Sequence, residues 1–279
     1  MKQPLAYVHP GAQIGENVVI DPFAFIDNDV VIGEGTWIGS GAVIYAGARI
    51  GKNCKIFPGA VISAIPQDLK FQGEYTTVEI GDNVTIREYV TINRGTVDRY
   101  KTVIKENTLL MAYVHVAHDC IVGRNCVLAN AVNMAGHVVV DDYAVIGGMS
   151  AIHQFVTIGK HVMIAGGSLI GKDIPPYTKA GRYPICYEGV NSVGLRRRGF
   201  DNKTIAQIQE IYRVIYLSGI RTTDALAIVE RDFEATEERD EILNFIRNSG
   251  LRGRGIMKGY TFLSERNKQP ISNNNPEQD

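Results

Sequence analysis

The chain has 279 residues, 45% of them hydrophobic and 21% charged, with a formal net charge of −1. That balance fits a soluble globular protein of one or two domains and offers no global charge to draw nucleic acid or hold a membrane surface. Met1 to Pro10 carries Lys2 and no apolar run, so a cytoplasmic protein without signal peptide or membrane insertion is expected. At Val8 a frame of six residues opens and runs through Ile14, Ile20, Ile26 and onward to Ile62 without a miss. It resumes at Ile80, Ile86 and Ile92, then runs from Ile104 through Val116, Met134 and Ile152 to Ile170. The frame fails only at Asp68, Glu74 and Asp98.

A hexad is too short for a helical hairpin. It fits one short strand plus a turn, and three units close a triangular coil of about 18 residues. The in-phase side chain points to the prism axis, and successive coils stack about 4.8 Å apart. A Gly often follows it, as in Ile14-Gly15 and Ile32-Gly33, where freedom of backbone angle suits a tight corner. The misses fall in two segments, 63–79 and 93–102, which read as loops expelled from the prism, a usual place for function.

The repeat fades after Ile170, and Asp173-Ile-Pro-Pro-Tyr177 stops it. Residues 1–190 therefore form the mainly β prism, and 191–266 a small helical cap. Asp201 caps a helix with Ile205, Ile208, Tyr212 and Ile215 on one face, ending near Gly219. Thr222 or Thr223 opens a second through Ala225, Ile228 and Val229, and Glu238 to Arg247 a third. The tail 267–279 reads as disordered. Cys54, Cys120, Cys126 and Cys186 show no CxxC or zinc spacing and read as reduced packing residues.

Chemistry centres on the histidines. His9 and His161 stand alone and read as surface residues, whereas His115, His118, His137 and His153 crowd into two coils. Steps of one coil bring His118, Gly136 and Gln154 into one stack and put His137 above Asp119. A neutral imidazole beside a carboxylate and a backbone N–H fits a general base next to an oxyanion site. Zinc is the competing use of clustered imidazoles, but His115 and His118 are three apart rather than the five of gamma-class carbonic anhydrases, and no acidic or Cys ligand completes a set.

Ala117-His118-Asp119-Cys120, Met134-Ala-Gly-His137 and Ile152-His-Gln-Phe155 resemble the UDP-N-acetylglucosamine O-acyltransferases of lipid A biosynthesis. So do Ile65-Pro-Gln-Asp-Leu-Lys70, Ile86-Arg-Glu88, Ile174-Pro-Pro-Tyr177 and Gly194-Leu-Arg-Arg-Arg-Gly-Phe200, so the likeness spans the chain up to the tail. It implies a left-handed parallel β-helix with a helical cap, assembled as a homotrimer with active sites between subunits. It further implies transfer of an (R)-3-hydroxyacyl group from acyl carrier protein to the sugar 3-hydroxyl, with the phosphopantetheine thioester as co-substrate and no other cofactor. His118 would be the general base, Asp119 its orienting partner, and the Gly136 N–H the oxyanion donor. Asp68 and Lys70 would contact sugar and acyl donor, and His115, His137, His153 and Gln154 the nucleotide sugar. Asn191, Arg197 and Arg198 would reach the nucleotide from the neighbouring cap.

The Arg196-Arg-Arg198 run, with Arg213, Arg221, Arg252, Arg254 and Lys258, makes a basic cap suited to acidic acyl carrier protein. Val193 stands where the family usually places an acidic residue, and Gly166 stands where a bulky side chain would shorten the acyl groove. Three alternatives stay open: an N-acyltransferase of the same pathway or acting on a 3-amino sugar, a zinc hydratase, and a catalytically silent scaffold.

Overall fold

The computed structural model describes residues 4–251 and 253–259. Three sheets of nine, eight and eleven strands form the faces of a left-handed prism and are parallel along it. The first face runs from Tyr7–Val8 to Leu169–Ile170, the second from Gln13–Ile14 to Thr157–Ile158, the third from Val19–Ile20 through Met163–Ile164 into the cap. Most strands hold two residues, the second being the hexad aliphatic, and it pairs with its own kind one coil up, as in His115↔Asn133 with Val116↔Met134. Ile26, Ile62, Ile92, Leu110, Val140 and Ile164 are fully buried along the axis. Burying each such side chain contributes roughly 1.5–3 kcal/mol, so the column is the main stabilising element.

The corners differ from expectation. Left-handed backbone falls three residues after the aliphatic, at Asn17, Asp29, Tyr89, Asp119, His137 and His161 among others. The glycine directly after the aliphatic serves another purpose. A Cβ on Gly33 would lie 2.6 Å from the Gly51 carbonyl carbon, so it is absent because the next coil passes too close.

Both expelled segments leave the edge between the first and second faces. Strands Val61–Ala64 and Thr77–Ile80 bound the first loop, and Thr91–Asn93 and Lys101–Ile104 the second. The loops are therefore 65–76 and 94–100, tighter than the sequence suggested, because Ser63, Thr77 and Lys101 continue the strands.

Beyond the last coil, Thr178–Gly181 pairs parallel with Met163–Ile164 and antiparallel with Cys186–Val190. Four helices follow: α1 (Ser192–Arg197), α2 (Asn202–Leu217), α3 (Thr222–Asp232) and α4 (Glu237–Leu251). Asp201 caps α2 by accepting from the Thr204 N–H at 2.7 Å. α3 begins at Thr222 behind Arg221, which makes no side-chain cap bond. The hairpin and α1 were not legible as such in the sequence. Leu195, Ile208, Tyr212, Val229 and Ile242 build a second core in the cap. Tyr212 donates to the Pro176 carbonyl at 2.6 Å, and Lys160 meets Glu241 at 3.1 Å, tying cap to prism. Arg252 and the tail 267–279 lie outside the described residues. Among the described residues no helix is long and apolar enough to cross a membrane.

Candidate active site

The edge between the first and second faces carries His118, Asp119, Gly136, His137, His153 and Gln154 in three successive coils. Asp119 sits at the corner with φ 58°, and that turn lets its carboxylate fold back beside the preceding ring. His118 Nδ1 lies 2.8 Å from Asp119 Oδ2. The ring also lies against Gly136, where a Cβ would lie 2.6 Å from His118 Nε2. Gly is obligatory there. The backbone ladder runs from Ala135 N–H to Ile152 O and from His137 N–H to His118 O, and leaves the Gly136 N–H between them outside it.

Asp119 is fully buried and well supplied with donors. Thr96 gives its N–H to Oδ1 at 3.0 Å and its hydroxyl to Oδ2 at 2.7 Å, and the Arg99 N–H reaches Oδ1 at 3.2 Å. Burial pushes its pKa up, but the Thr96 and His118 bonds outweigh burial and hold it below the usual carboxylate value. His137 packs edge-on against His118 with centroids 5.0 Å apart and stacks on Phe155 at 4.5 Å. Its Nδ1 lies 3.0 Å from Asp98 Oδ2, an ion-pair distance without hydrogen-bond alignment, and its Nε2 lies 3.8 Å from Asp119 Oδ2. Burial lowers its pKa, against the pull of Asp119. From the first loop, Asp68 brings Oδ2 to 3.9 Å from His118 Nε2. Its other oxygen accepts from the Lys70 N–H at 2.9 Å, which leaves the Lys70 side chain exposed at the loop tip.

His115, on the first face beside this edge, holds Thr91 Oγ1 at 2.7 Å from Nδ1, and burial lowers its pKa. His153 and Gln154 lie higher, where Arg254 donates to the Gln154 carbonyl at 2.5 Å and approaches His153 Nδ1 at 3.3 Å. Next to them is a cavity of about 600 Å³ lined by His153, Leu169, Ile170, Lys172, Tyr183 and Ile185.

The remaining residues lie elsewhere. Gly166 is on the edge between the third and first faces, with Gly148 O 3.1 Å from where its Cβ would be. Asn191, Arg197 and Arg198 lie against the third edge. Asn191 caps α1 through the Gly194 N–H at 3.2 Å and donates to the His161 carbonyl at 2.9 Å, so its amide already ties cap to prism. Arg198 donates to the Tyr143 carbonyl at 2.8 Å, whereas Arg197 is exposed. His161 is buried between Tyr143 and Tyr177, contrary to the surface position expected. Arg213 and Arg221 pair with Glu210 and Asp224, which leaves the cap less basic than its composition suggests.

Thr96, Asp98 and Arg99 escaped the sequence reading, since loop contacts to a buried carboxylate leave no periodic trace. One metal expectation also changes. His118, Asp119 and His137 do bring three ligand atoms within 4.8 Å, an acidic group included. The donors crowding Asp119 occupy the lone pairs a cation would need.

Residues 173–257 match the family described as UDP N-acetylglucosamine O-acyltransferase, domain 2, and 29–64 and 101–136 match the bacterial transferase hexapeptide repeats. The UDP-N-acetylglucosamine acyltransferase of Bacteroides fragilis is similar at 54% identity and a TM-score of 0.90, over 92% of this chain and all of that one. That of Francisella novicida has 38% identity and a TM-score of 0.90, over 95% and 96%. The acyl-[acyl-carrier-protein]–UDP-N-acetylglucosamine O-acyltransferase of Thiobacillus denitrificans is 44% identical across 91% of this chain and 98% of its own. With the histidine edge, both loops and the cap falling within these alignments, the chain belongs to the UDP-N-acetylglucosamine O-acyltransferase family.

Proposed function

We propose that the protein transfers a 3-hydroxyacyl group from acyl carrier protein to the glucosamine 3-hydroxyl of UDP-N-acetylglucosamine, the first step of lipid A synthesis. The observation that carries the mechanism is His118, held at Nδ1 by Asp119, resting on Gly136 and facing Asp68. His118 Nε2 takes the hydroxyl proton as the sugar oxygen attacks the thioester carbonyl, a contribution of about 10²–10⁴-fold. The Gly136 N–H meets the developing oxyanion, a donor of about 3–4 kcal/mol in comparable sites. Collapse expels the phosphopantetheine thiolate, which recovers the proton from His118. Asp119 keeps the ring in the tautomer that leaves Nε2 free.

The family's site residues are spread over all three edges of one prism, so a single copy gathers only part of the set. A homotrimer gathers them by setting the Arg197–Arg198 cap of one copy against the His118 edge of the next, where the guanidinium groups meet the diphosphate. The apolar cavity beside His153, rimmed by Lys172 and Lys258, suits the aliphatic arm of the acyl donor. Zinc chemistry is the second reading: His118, Asp119 and His137 bring their ligand atoms together, though Asp119 would have to give up donors it now accepts from.

The test is transfer from a panel of 3-hydroxyacyl carrier proteins to UDP-N-acetylglucosamine, with native protein and His118→Ala. Product from the native protein and a loss of at least about a hundredfold in the variant support the reading. Product that survives the substitution moves the base elsewhere, with His137 next. No product with any donor, from protein that purifies with zinc, sends the function to the metal reading.

A further inference from the structure

The second expelled loop reaches back into the site it leaves. Gly95 pinches its base: a Cβ there would lie 2.2 Å from the Lys101 N, so the two ends meet backbone to backbone. Between them the Thr96 carbonyl accepts from the Tyr100 N–H at 2.7 Å and closes one turn. Thr96 is thereby buried, 7% exposed, and both its donors go to Asp119. The hydroxyl meets Oδ2, the same oxygen that faces His118 Nδ1. Arg99 completes the clamp with its guanidinium on the Asp119 carbonyl at 2.8 Å.

A carboxylate turns easily about its terminal torsion, which is broad and two-fold. Oδ2 also has a second suitor, His137 Nε2 at 3.8 Å. Without the Thr96 hydroxyl, Oδ2 itself keeps only His118, and the carboxylate is otherwise held through Oδ1 alone, by the Thr96 and Arg99 N–H groups.

Resting on the acyl-transfer reading, we propose that Thr96 is the positioning residue of the general base. Its hydroxyl, in a charge-assisted bond, fixes the Asp119 carboxylate in the orientation that keeps the proton on His118 Nδ1 and the lone pair on Nε2. Thr96 touches no substrate and acts through Asp119 alone. The second loop is therefore part of the catalytic apparatus even where its tip is exposed.

Thr96→Val removes the hydroxyl and keeps the shape; Thr96→Ser keeps the hydroxyl. In acyl transfer to UDP-N-acetylglucosamine, the Val variant loses about ten- to a hundredfold in kcat with KM for the sugar within about twofold, and the Ser variant stays near native. In an Asp119→Ala background the Val substitution costs nothing further, since the oxygen it served is gone. Thr96→Ala makes the same comparison should the Val variant fail to fold, and the thermal midpoint reports folding in each. Equal kcat for Val and Ser variants, or an undiminished Val effect without Asp119, overturns the proposal. If His118→Ala abolishes transfer while Thr96→Val does not alter it, only this inference falls. If the native protein transfers nothing from any donor, the acyl-transfer reading falls and takes it along.

Discussion

Two edges of the prism each carry a histidine at the same corner position. His137 has φ 61° and His161 has φ 57°, and each is 8% exposed. Each also stacks on an aromatic ring, Phe155 at 4.5 Å and Tyr143 at 4.8 Å. Their surroundings differ in charge. His137 looks toward Asp119 and Asp98, and beside it stands His118. His161 is enclosed by Tyr143, Tyr177 and Phe200, and its charged neighbours include the cations Arg198 and Lys160 as well as Asp142. The repeat supplies equivalent positions on every edge. The coil corner supplies Asp119, and the two loops expelled from one of these edges add Asp68 and Asp98, which turn a packing position into a site.

The largest expected effect separates the two edges outright. His118→Ala removes the base and lowers kcat/KM by at least about a hundredfold with little change in thermal midpoint. His161→Ala opens the aromatic stack instead. It costs about 2 kcal/mol of stability and leaves kcat within about twofold, as steady-state rates and thermal melts would show. Equal activity losses in both variants would mean that the third edge also takes part in the chemistry, within one protomer or across the trimer.

Glycines sharpen the contrast next. Gly136→Ala drives a methyl into the His118 ring, 2.6 Å from Nε2, and moves the base off its mark. A displacement near one ångström there costs about a hundredfold in kcat. Gly33→Ala meets backbone of the next coil, far from the site, and should cost about 1–3 kcal/mol of stability with normal turnover. Paired melts and rates check both.

The same glycines show how far the sequence could be read. Hexad phase placed Ile92 and Ile164 on the axis, and stepping by one coil placed His118 under Gly136, because a repeat of constant length converts numbering into distance. The reason for Gly33 was misjudged: the phase shows where a glycine falls, while the approach of Gly51 depends on coil spacing. His161 was set on the surface because it was weighed as a lone residue, although its phase equals that of His137. Thr96, and the contacts Asn191 makes in the fold, were opaque for a different reason. Thr96 lies in an irregular loop and Asn191 caps a helix against the prism, and both sets of contacts span separations that no local pattern encodes.

The smallest effect is in the pH dependence of stability. Burial, then the nearby Arg198 and Lys160 charges, push the His161 pKa down to about 4 from 6.5. Between those values the unfolded chain binds more protons than the folded one, so this group's contribution is complete above pH 6.5 and is lost as pH falls toward 4. The loss is at most roughly 3 kcal/mol. Asp141 works in the opposite sense. Burial and then Glu241 push it up to about 6 from 3.8, so what it contributes is present at acid pH and fades as pH rises through 6. The two slopes oppose each other in the native protein. His161→Phe keeps the stack, removes one slope and leaves the other. Urea unfolding at pH 7, 5.5 and 4.5 should find the variant gaining on the native protein step by step as acidity rises. A pH-independent difference would mean that His161 is not held neutral by the aromatic enclosure, and the contrast between the two edges would then lose its electrostatic half.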